Sequence, residues 1–166
     1  MITHLNKKNK PKIVDVSKKI ITERSATAQG IVKFSEETFK KIEKMNTKKG
    51  EITSIAIIAG IIGAKKTSEL IPLCHNIGID NVEINIKTNK QNYSLTVLAK
   101  VKSSSKTGVE MEALTAVSVS CLTIYDMCKS LDKKILINQI KLISKKGGKS
   151  NFKKSNNLFL EKKTRK

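Results

Sequence analysis

Two segments in the middle of the chain alternate apolar and polar residues, a pattern typical of β-strands with one buried face. They span residues 82–86 and 93–101, and a short polar link, residues 88–92, separates them. Two such strands joined by a short link pair as an antiparallel hairpin. An apolar sheet face has to be covered, so the hairpin predicts a second layer packed against it.

The segments around the hairpin predict further strands and that second layer. Strands are predicted at residues 28–34, with Gly30 as a candidate β-bulge, and at residues 135–143. Helices are predicted to follow the N-cap residue Ser35, and over residues 52–71 and 109–132. This order predicts an α+β fold with four antiparallel strands and long helices on one face of the sheet.

The second predicted helix has a small residue at every fourth position, namely Ala56, Gly60 and Ala64, and Pro72 ends it. Residues four apart lie on one side of a helix. This stripe therefore predicts a smooth surface against which another helix packs closely.

Lysine dominates the charge of the chain. The formal net charge is +19, and Arg24 and Arg165 are the only arginines. Well over half of the excess lies near the termini, so basic tails at residues 1–12 and 151–166, the second disordered, are expected around one domain at 13–150. An aromatic content of 4% disfavours a stacking surface for single-stranded nucleic acid.

The cysteines and the lengths of the apolar runs indicate the cellular compartment of the protein. Cys74, Cys121 and Cys128 are odd in number and lie in apolar segments, which disfavours a disulfide framework. The start is polar, and the longest apolar run, residues 55–64, is half of what a bilayer requires. A cytoplasmic protein without a membrane partner is expected.

His75 follows Pro72 and stands beside Cys74. A histidine titrates near neutral pH and can act as a general acid or base, although a capping or core histidine is the commoner role. Adjacent Cys and His do not easily bind one ion, and neither a C-x-x-C nor an H-x-x-x-H pair is present. No metal site is predicted.

The helix predicted over residues 109–132 has charged residues at both ends. The helix dipole alone can explain Glu110 and Glu112 in its first turn. Asp126 and Lys129 lie one turn apart, a spacing that usually indicates a surface ion pair. The stretch around them is largely apolar, so the pair is expected to be partly desolvated and suited to proton transfer. Glu112 and Asp126 are about 21 Å apart along such a helix. If both ends are functional, a site shared between subunits is the economical arrangement.

Lysines near loops and helix ends are candidate anion-binding residues, although each one alone is more simply a solvated lysine. They are Lys49, Lys65, Lys66 and Lys145. The segment at residues 145–150 ends like a Walker A loop, but Ile143 occupies the first glycine position and no apolar helix follows. That motif is absent.

Four strings occur in order: IVDVSKKIITERSATAQG, KKTSELIPLCH, KTGVEMEALTAVSVSCLTIYDMCK and KKGGKS. Together they resemble the MoaC family over about residues 13–150. The resemblance implies conversion of 3′,8-cyclo-7,8-dihydroguanosine 5′-triphosphate to cyclic pyranopterin monophosphate with release of pyrophosphate, in molybdenum cofactor biosynthesis. It further implies a lyase with no cofactor of its own, a ferredoxin-like fold, and a homohexamer built as a trimer of dimers with sites at the dimer interface.

The resemblance also implies roles for individual residues. Asp126 and Lys129 would shuttle protons, with Lys49 as a second acid or base. His75 and Glu112 would orient the base-derived ring. The other substrate-binding candidates are Leu73, Cys74, Met111, Glu110, Asp15, Arg24, Lys65, Lys66 and Lys145, of which the last four would hold the triphosphate.

Five positions depart from the usual pattern of the family. Lys66 and Lys106 stand where arginine is common, and Asn76 where proline is common. Glu51 stands where aspartate is common, and Asn151 where glycine is common. Lysine keeps the charge but loses the bidentate geometry of a guanidinium. An alternative from the charge alone is a nucleic-acid-binding protein that acts through its tails. It leaves the acidic and histidine residues within apolar segments unexplained.

Overall fold

The computed structural model describes residues 4–6, 8–45, 51–148 and 150–153. Its elements, in chain order, are β1 (Thr22–Lys33), α1 (Glu36–Met45), α2 (Glu51–Lys65), α3 (Thr67–Leu70), β2 (Asn81–Asn89), β3 (Ser94–Ser105), α4 (Glu110–Cys128), β4 (Leu136–Lys146) and β5 (Phe152–Lys153).

The strands form one antiparallel sheet in the order β2-β3-β1-β4-β5. The predicted hairpin is confirmed, since β2 pairs with β3 and Val82 lies opposite Val101. The predicted α+β fold is also confirmed. The sheet has five strands rather than four, because Phe152 pairs with Lys145 in the segment assigned to a disordered tail. A two-residue strand is too short to produce a periodic pattern.

Helix α4 lies on one face of the sheet and crosses β1 at Gly30. A β-carbon at Gly30 would lie 2.6 Å from Cγ1 of Val117 and 2.9 Å from Sγ of Cys121, both on α4. The register shift at this point falls between Gln29 and Ile31, and the extra residue is on β4. Gly30 therefore lies opposite a bulge instead of forming one, and its missing side chain makes room for α4.

The small-residue stripe on α2 packs against α4, as predicted. Ala56 is fully buried, and its carbonyl accepts a hydrogen bond from Oγ of Ser120 at 2.9 Å. A β-carbon at Gly60 would lie 2.8 Å from the carbonyl oxygen of Ala116. The predicted helix 52–71 is interrupted at Lys66, after which α3 forms a single turn.

Helix α4 is long and apolar enough to cross a membrane by length and composition. Half of it is buried inside the fold, against the sheet on one side and α2 on the other. Its apolar character therefore matches its place in the core, where Ala113, Val117 and Ile124 have no exposed surface.

The contact between α2 and α4 yields a test of stability. Gly60→Ala should lower the free energy of unfolding by about 1–3 kcal/mol, because the new methyl group meets a carbonyl oxygen that cannot move freely. This loss should appear although alanine has the higher helix propensity. Gly78→Ala is the matched control, because a β-carbon there meets nothing within 4 Å. Denaturant titration of both variants makes the comparison, and equal stability would contradict the close packing.

Candidate functional site

Two adjoining cavities lie where α4 begins and the polar ends of β1, β3 and β4 meet. The first, of about 320 Å³, is called the histidine cavity and is lined by His4, Val14, Val16, Lys19, Leu73, Cys74, His75, Thr107, Gly108, Glu110, Met111 and Glu112. The second, of about 600 Å³, is called the basic cavity and is lined by Lys18, Lys19, Ile20, Thr22, Arg24, Ser25, Lys106, Thr107, Gly108, Glu110, Lys145, Lys146, Gly147, Gly148 and Ser150. Glu110 lines both cavities.

Segments distant in sequence meet in the histidine cavity. The predicted residues Leu73, Cys74 and His75 come from the loop after α3, and Met111 and Glu112 come from the first turn of α4. Nε2 of His75 lies 2.6 Å from the carbonyl oxygen of Val14. A carbonyl only accepts hydrogen bonds, so Nε2 carries the proton and donates it. This bond ties the N-terminal segment to the cavity wall.

Burial raises the pKa of two groups in this cavity. Glu112 is only 4% exposed, and burial raises the pKa of its carboxyl, helped by the nearby charge of Glu110 and opposed by a backbone hydrogen bond. Burial likewise raises the pKa of the Cys74 thiol, and the Glu112 carboxylate adds to the effect. Burial therefore opposes negative charge on Glu112 and Cys74, and Cys74 is poorly suited to act as a thiolate nucleophile.

Glu110 separates the two cavities and holds a lysine of the second. Its Oε1 lies 3.0 Å from Nζ of Lys145, and both side chains are partly buried. Gly108 leaves room for this carboxylate, because a β-carbon at Gly108 would overlap Oε2 of Glu110. The pair is partly shielded from solvent, so its electrostatic attraction is stronger than that of a fully exposed ion pair.

The basic cavity holds Arg24 and Lys145 close to two backbone segments. Nε of Arg24 donates to the carbonyl of Ser105 at 3.4 Å. A β-carbon at Gly148 would lie 2.8 Å from Nη1 of Arg24, so glycine lets the loop lie against the guanidinium. The adjacent Gly147 has a φ of +90°, a conformation that suits glycine.

Several residues that line the two cavities were not predicted from the sequence. Lys106 was noted only as a departure from the family, yet its Nζ donates to the carbonyl of Ser17 at 2.8 Å at the edge of the basic cavity. Lys18 and Lys19 also line that cavity, and His4 lines the other. Their positions within the recognised strings could have identified the three lysines, whereas nothing in the local pattern distinguishes His4.

Asp126 and Lys129 lie at the opposite end of α4 and line neither cavity. Lys129 Nζ donates to Oδ1 of Asp126 at 2.6 Å. Their side chains are 69% and 58% exposed in this chain, so the expectation of partial desolvation is wrong here. The last turn of α4 is amphipathic, and this pair lies on its solvent side. The hydrogen bond to Asp126 raises the pKa of Lys129.

Three further predicted residues lie outside both cavities. Asp15 is exposed rather than buried, and its Oδ1 accepts the backbone N–H of Ser17 at 2.8 Å, which lowers the pKa of its carboxyl. Lys65 and Lys66 are exposed at the end of α2, where Nζ of Lys66 lies 3.5 Å from Glu69. Lys49 lies outside the described residues.

Among the residues that the structure describes, no group of three or more His, Cys, Asp or Glu side chains could hold a metal ion. The polar groups of the site are instead divided between a small cavity with a buried carboxyl and two histidines and a larger, lysine-rich cavity. This division suits a ligand with an uncharged ring and an anionic chain.

A family model described as the MoaC family matches residues 13–148. The chain belongs to the MoaC family. A cyclic pyranopterin monophosphate synthase from Helicobacter hepaticus is 52% identical over 149 residues, which cover 90% of this chain and 94% of the relative. One from Campylobacter lari is also 52% identical over 149 residues, covering 90% and 95%. One from Clostridium acetobutylicum is 45% identical over 150 residues, covering 90% and 93%.

The MoaC family match begins at residue 13 and ends at residue 148. It therefore includes the strings recognised in the sequence, apart from the last residues of KKGGKS. Arg24, Glu112 and Lys145 lie within it, whereas His4 lies before it.

The buried carboxyl of Glu112 makes stability depend on pH. Its pKa in the folded state lies above the usual 4.5, so the folded state binds this proton more tightly than the unfolded state does. The contribution of the Glu112 carboxyl to the free energy of unfolding is fully present below pH 4.5. It is lost as the pH rises through the higher folded-state pKa. Glu112→Gln should therefore gain stability relative to wild type between pH 4 and pH 7, as measured by denaturant unfolding.

Glu36→Gln is the control with the opposite sign. The hydrogen bond to Lys40 lowers the pKa of Glu36, so its contribution is present above pH 4.5 and is lost as the pH falls. This variant should lose stability relative to wild type as the pH rises. Parallel pH profiles for the two variants would contradict the buried state of Glu112.

Proposed function

We propose that this protein is a lyase of molybdenum cofactor biosynthesis. It converts 3′,8-cyclo-7,8-dihydroguanosine 5′-triphosphate to cyclic pyranopterin monophosphate and releases pyrophosphate. The observation that supports this most directly is the pairing of a small cavity, which contains a buried carboxyl and two histidines, with a lysine-rich cavity inside a domain of the MoaC family. The relatives named as cyclic pyranopterin monophosphate synthases align with nine-tenths of the chain.

The two cavities fit the two parts of this substrate. The histidine cavity takes the base-derived ring, with His75 and Glu112 on its wall. The basic cavity takes the triphosphate, where Arg24, Lys106 and Lys145 can neutralise charge as pyrophosphate leaves. Arginine binds phosphate through two parallel donors, whereas the lysines act as point charges.

Glu110 holds Lys145 in position in the basic cavity before substrate binds. In this chain its carboxylate holds Lys145 at 3.0 Å. An incoming phosphate competes for Lys145 and brings a negative charge close to Glu110. We therefore assign to Glu110 the positioning of Lys145 at the boundary between ring and phosphates.

Proton transfer is assigned to Asp126 and Lys129. The hydrogen bond to Asp126 favours the protonated form of Lys129, so Lys129 is a proton donor in the resting chain. Lys49 is proposed as the second acid or base. Leu73, Cys74 and Met111 complete the contact surface for the ring.

Asp126 and Glu112 belong to opposite ends of one helix, about 21 Å apart. We therefore propose that each site combines the Glu112 end of one subunit with the Asp126 end of another, in a cytoplasmic homohexamer built from three dimers. Exposed apolar side chains support an interface on this side of the fold: Ile55, Ile58 and Ile62 on α2 and Leu122 on α4 are at least 45% exposed.

The activity is tested by incubating the purified protein with the cyclised nucleotide and measuring pyrophosphate and the pterin product. Wild type should form both, whereas Asp126→Ala and Lys129→Ala should lose at least about a hundredfold in turnover, because each removes a proton-transfer group. Lys133→Ala, which removes an exposed lysine just beyond α4, is the matched control and should keep its turnover. Unchanged turnover in both site variants would refute their assignment.

The shared site predicts complementation between two inactive variants. Glu112→Ala and Asp126→Ala subunits, each inactive alone, should regain about a quarter of wild-type turnover when refolded together in equal amounts. Random pairing makes half of the dimers mixed, and one of the two sites in each mixed dimer is intact. A mixture that stays inactive, although native mass spectrometry shows mixed oligomers, would refute the shared site.

The alternative of a nucleic-acid-binding protein finds no support in the relatives described above, which carry the name of an enzyme. The assay distinguishes the two functions. A chain that ends at residue 153 keeps β5 and both cavities, so it should retain turnover.

A further inference from the structure

The chain contains two histidines, His4 and His75, and both line the histidine cavity. They differ in what they bind. Nε2 of His75 is committed to the carbonyl oxygen of Val14. Nδ1 of His4 is buried and has no hydrogen-bond partner among the described residues.

His4 is held in place by its backbone. The N–H of Lys12 donates to the carbonyl of His4 at 2.9 Å, and Leu5 pairs with Pro11 in a β-bridge. Oδ1 of Asn6 closes the turn between them by accepting the N–H groups of Lys8 at 2.8 Å and Lys10 at 3.0 Å. Residues 4–6 and 8–12, called the N-terminal turn, thus form a folded unit that places an imidazole at the cavity.

A buried polar atom without a partner is costly and uncommon in folded proteins. The described part of the chain has one other such side-chain atom, Oδ1 of Asn138, which belongs to a different cavity on the opposite face of the sheet. The unpaired nitrogen of His4 therefore marks the histidine cavity as a place where a hydrogen-bonding group is missing.

We infer that His4 binds the base-derived ring of the substrate by a hydrogen bond from its imidazole, an inference that rests on the proposed function. A ring derived from guanine offers both donors and acceptors along its edges. Rotation of the imidazole by 180° exchanges Nδ1 with a carbon and leaves the shape of the ring unchanged. His4 can therefore turn its unpaired nitrogen toward the ligand without disturbing the turn.

With this assignment, the cavity wall has a side chain that can form a hydrogen bond with the ligand. Glu112 is buried, His75 is bonded to Val14, and Cys74 is a poor donor with a raised pKa. His4 is a further polar group on this wall, and its Nδ1 has no hydrogen-bond partner among the described residues, so it can bind the ligand. The N-terminal turn then belongs to the site, although it precedes the residues that match the family model.

The test uses the full-length protein and compares His4→Leu, which removes the polar atoms at similar size, with His4→Asn and His4→Gln. In these two variants an amide nitrogen stands near the position of Nδ1 or Nε2. His4→Leu should raise KM for the cyclised nucleotide about tenfold, the loss of one buried hydrogen bond. At least one amide variant should recover most of that loss, and the one that does identifies the nitrogen used.

Two measurements separate this role from a structural one. The thermal unfolding midpoint of His4→Leu without substrate should equal or exceed that of wild type, because an unpaired buried nitrogen has been removed. Asn9→Gly is the matched control in the same turn, since Asn9 is exposed and its φ of 55° suits glycine. It should leave KM unchanged.

The outcomes are distinguishable. A wild-type protein that forms no product from the cyclised nucleotide would overturn the proposed function and this inference with it. An active wild type whose KM does not change in His4→Leu would overturn this inference alone. A lower unfolding midpoint with an unchanged KM would show that His4 stabilises the turn and does not bind substrate.

Discussion

The close approach of α4 to its neighbours is the constraint on which the rest of the molecule depends. Glycine at position 30 lets the helix touch β1, and glycine at position 60 lets it touch α2. A larger residue at position 30 would push α4 away from the sheet, and one at position 60 would push it away from α2. The first turn of α4 supplies Glu110, Met111 and Glu112, so the depth at which the helix is seated also sets the width of the two cavities.

The two ends of α4 place their carboxylates in opposite environments. Glu112 is buried and its pKa is raised, whereas Asp126 is exposed and bonded to Lys129. Position on the helix decides this difference, because the first turn is covered by the loop after α3 and by the N-terminal segment. The same residue class therefore serves binding at one end and proton transfer at the other, in the mechanism that we propose.

The sequence predicted the apolar framework better than the polar one. Alternation revealed β2 and most of β3, and the Ala56-Gly60-Ala64 spacing revealed the contact between α2 and α4. Strand ends were placed where alternation stops, yet β1 begins at Thr22, β3 runs to Ser105 and β4 runs to Lys146. These polar extensions are held by backbone hydrogen bonds from neighbouring strands, which leave no periodic signal in side-chain type.

The site lies on those same extensions, so its composition could be predicted only in part. The resemblance to a family named Arg24, His75, Glu112 and Lys145, but it could not show that His75 binds Val14 or that Glu110 holds Lys145. Such contacts join residues far apart in sequence. The environment of Asp126 was misjudged because apolar neighbours along a helix do not show which side of the last turn faces solvent.

The length of helix α4 sets the distance and the rotation between its two ends. Insertion of one residue between Glu112 and Asp126 would advance one end by about 1.5 Å and turn it by about 100° relative to the other. No adjustment of side chains could restore both ends at once. In the mechanism that we propose, the length of this segment is therefore as strictly required as any single functional group.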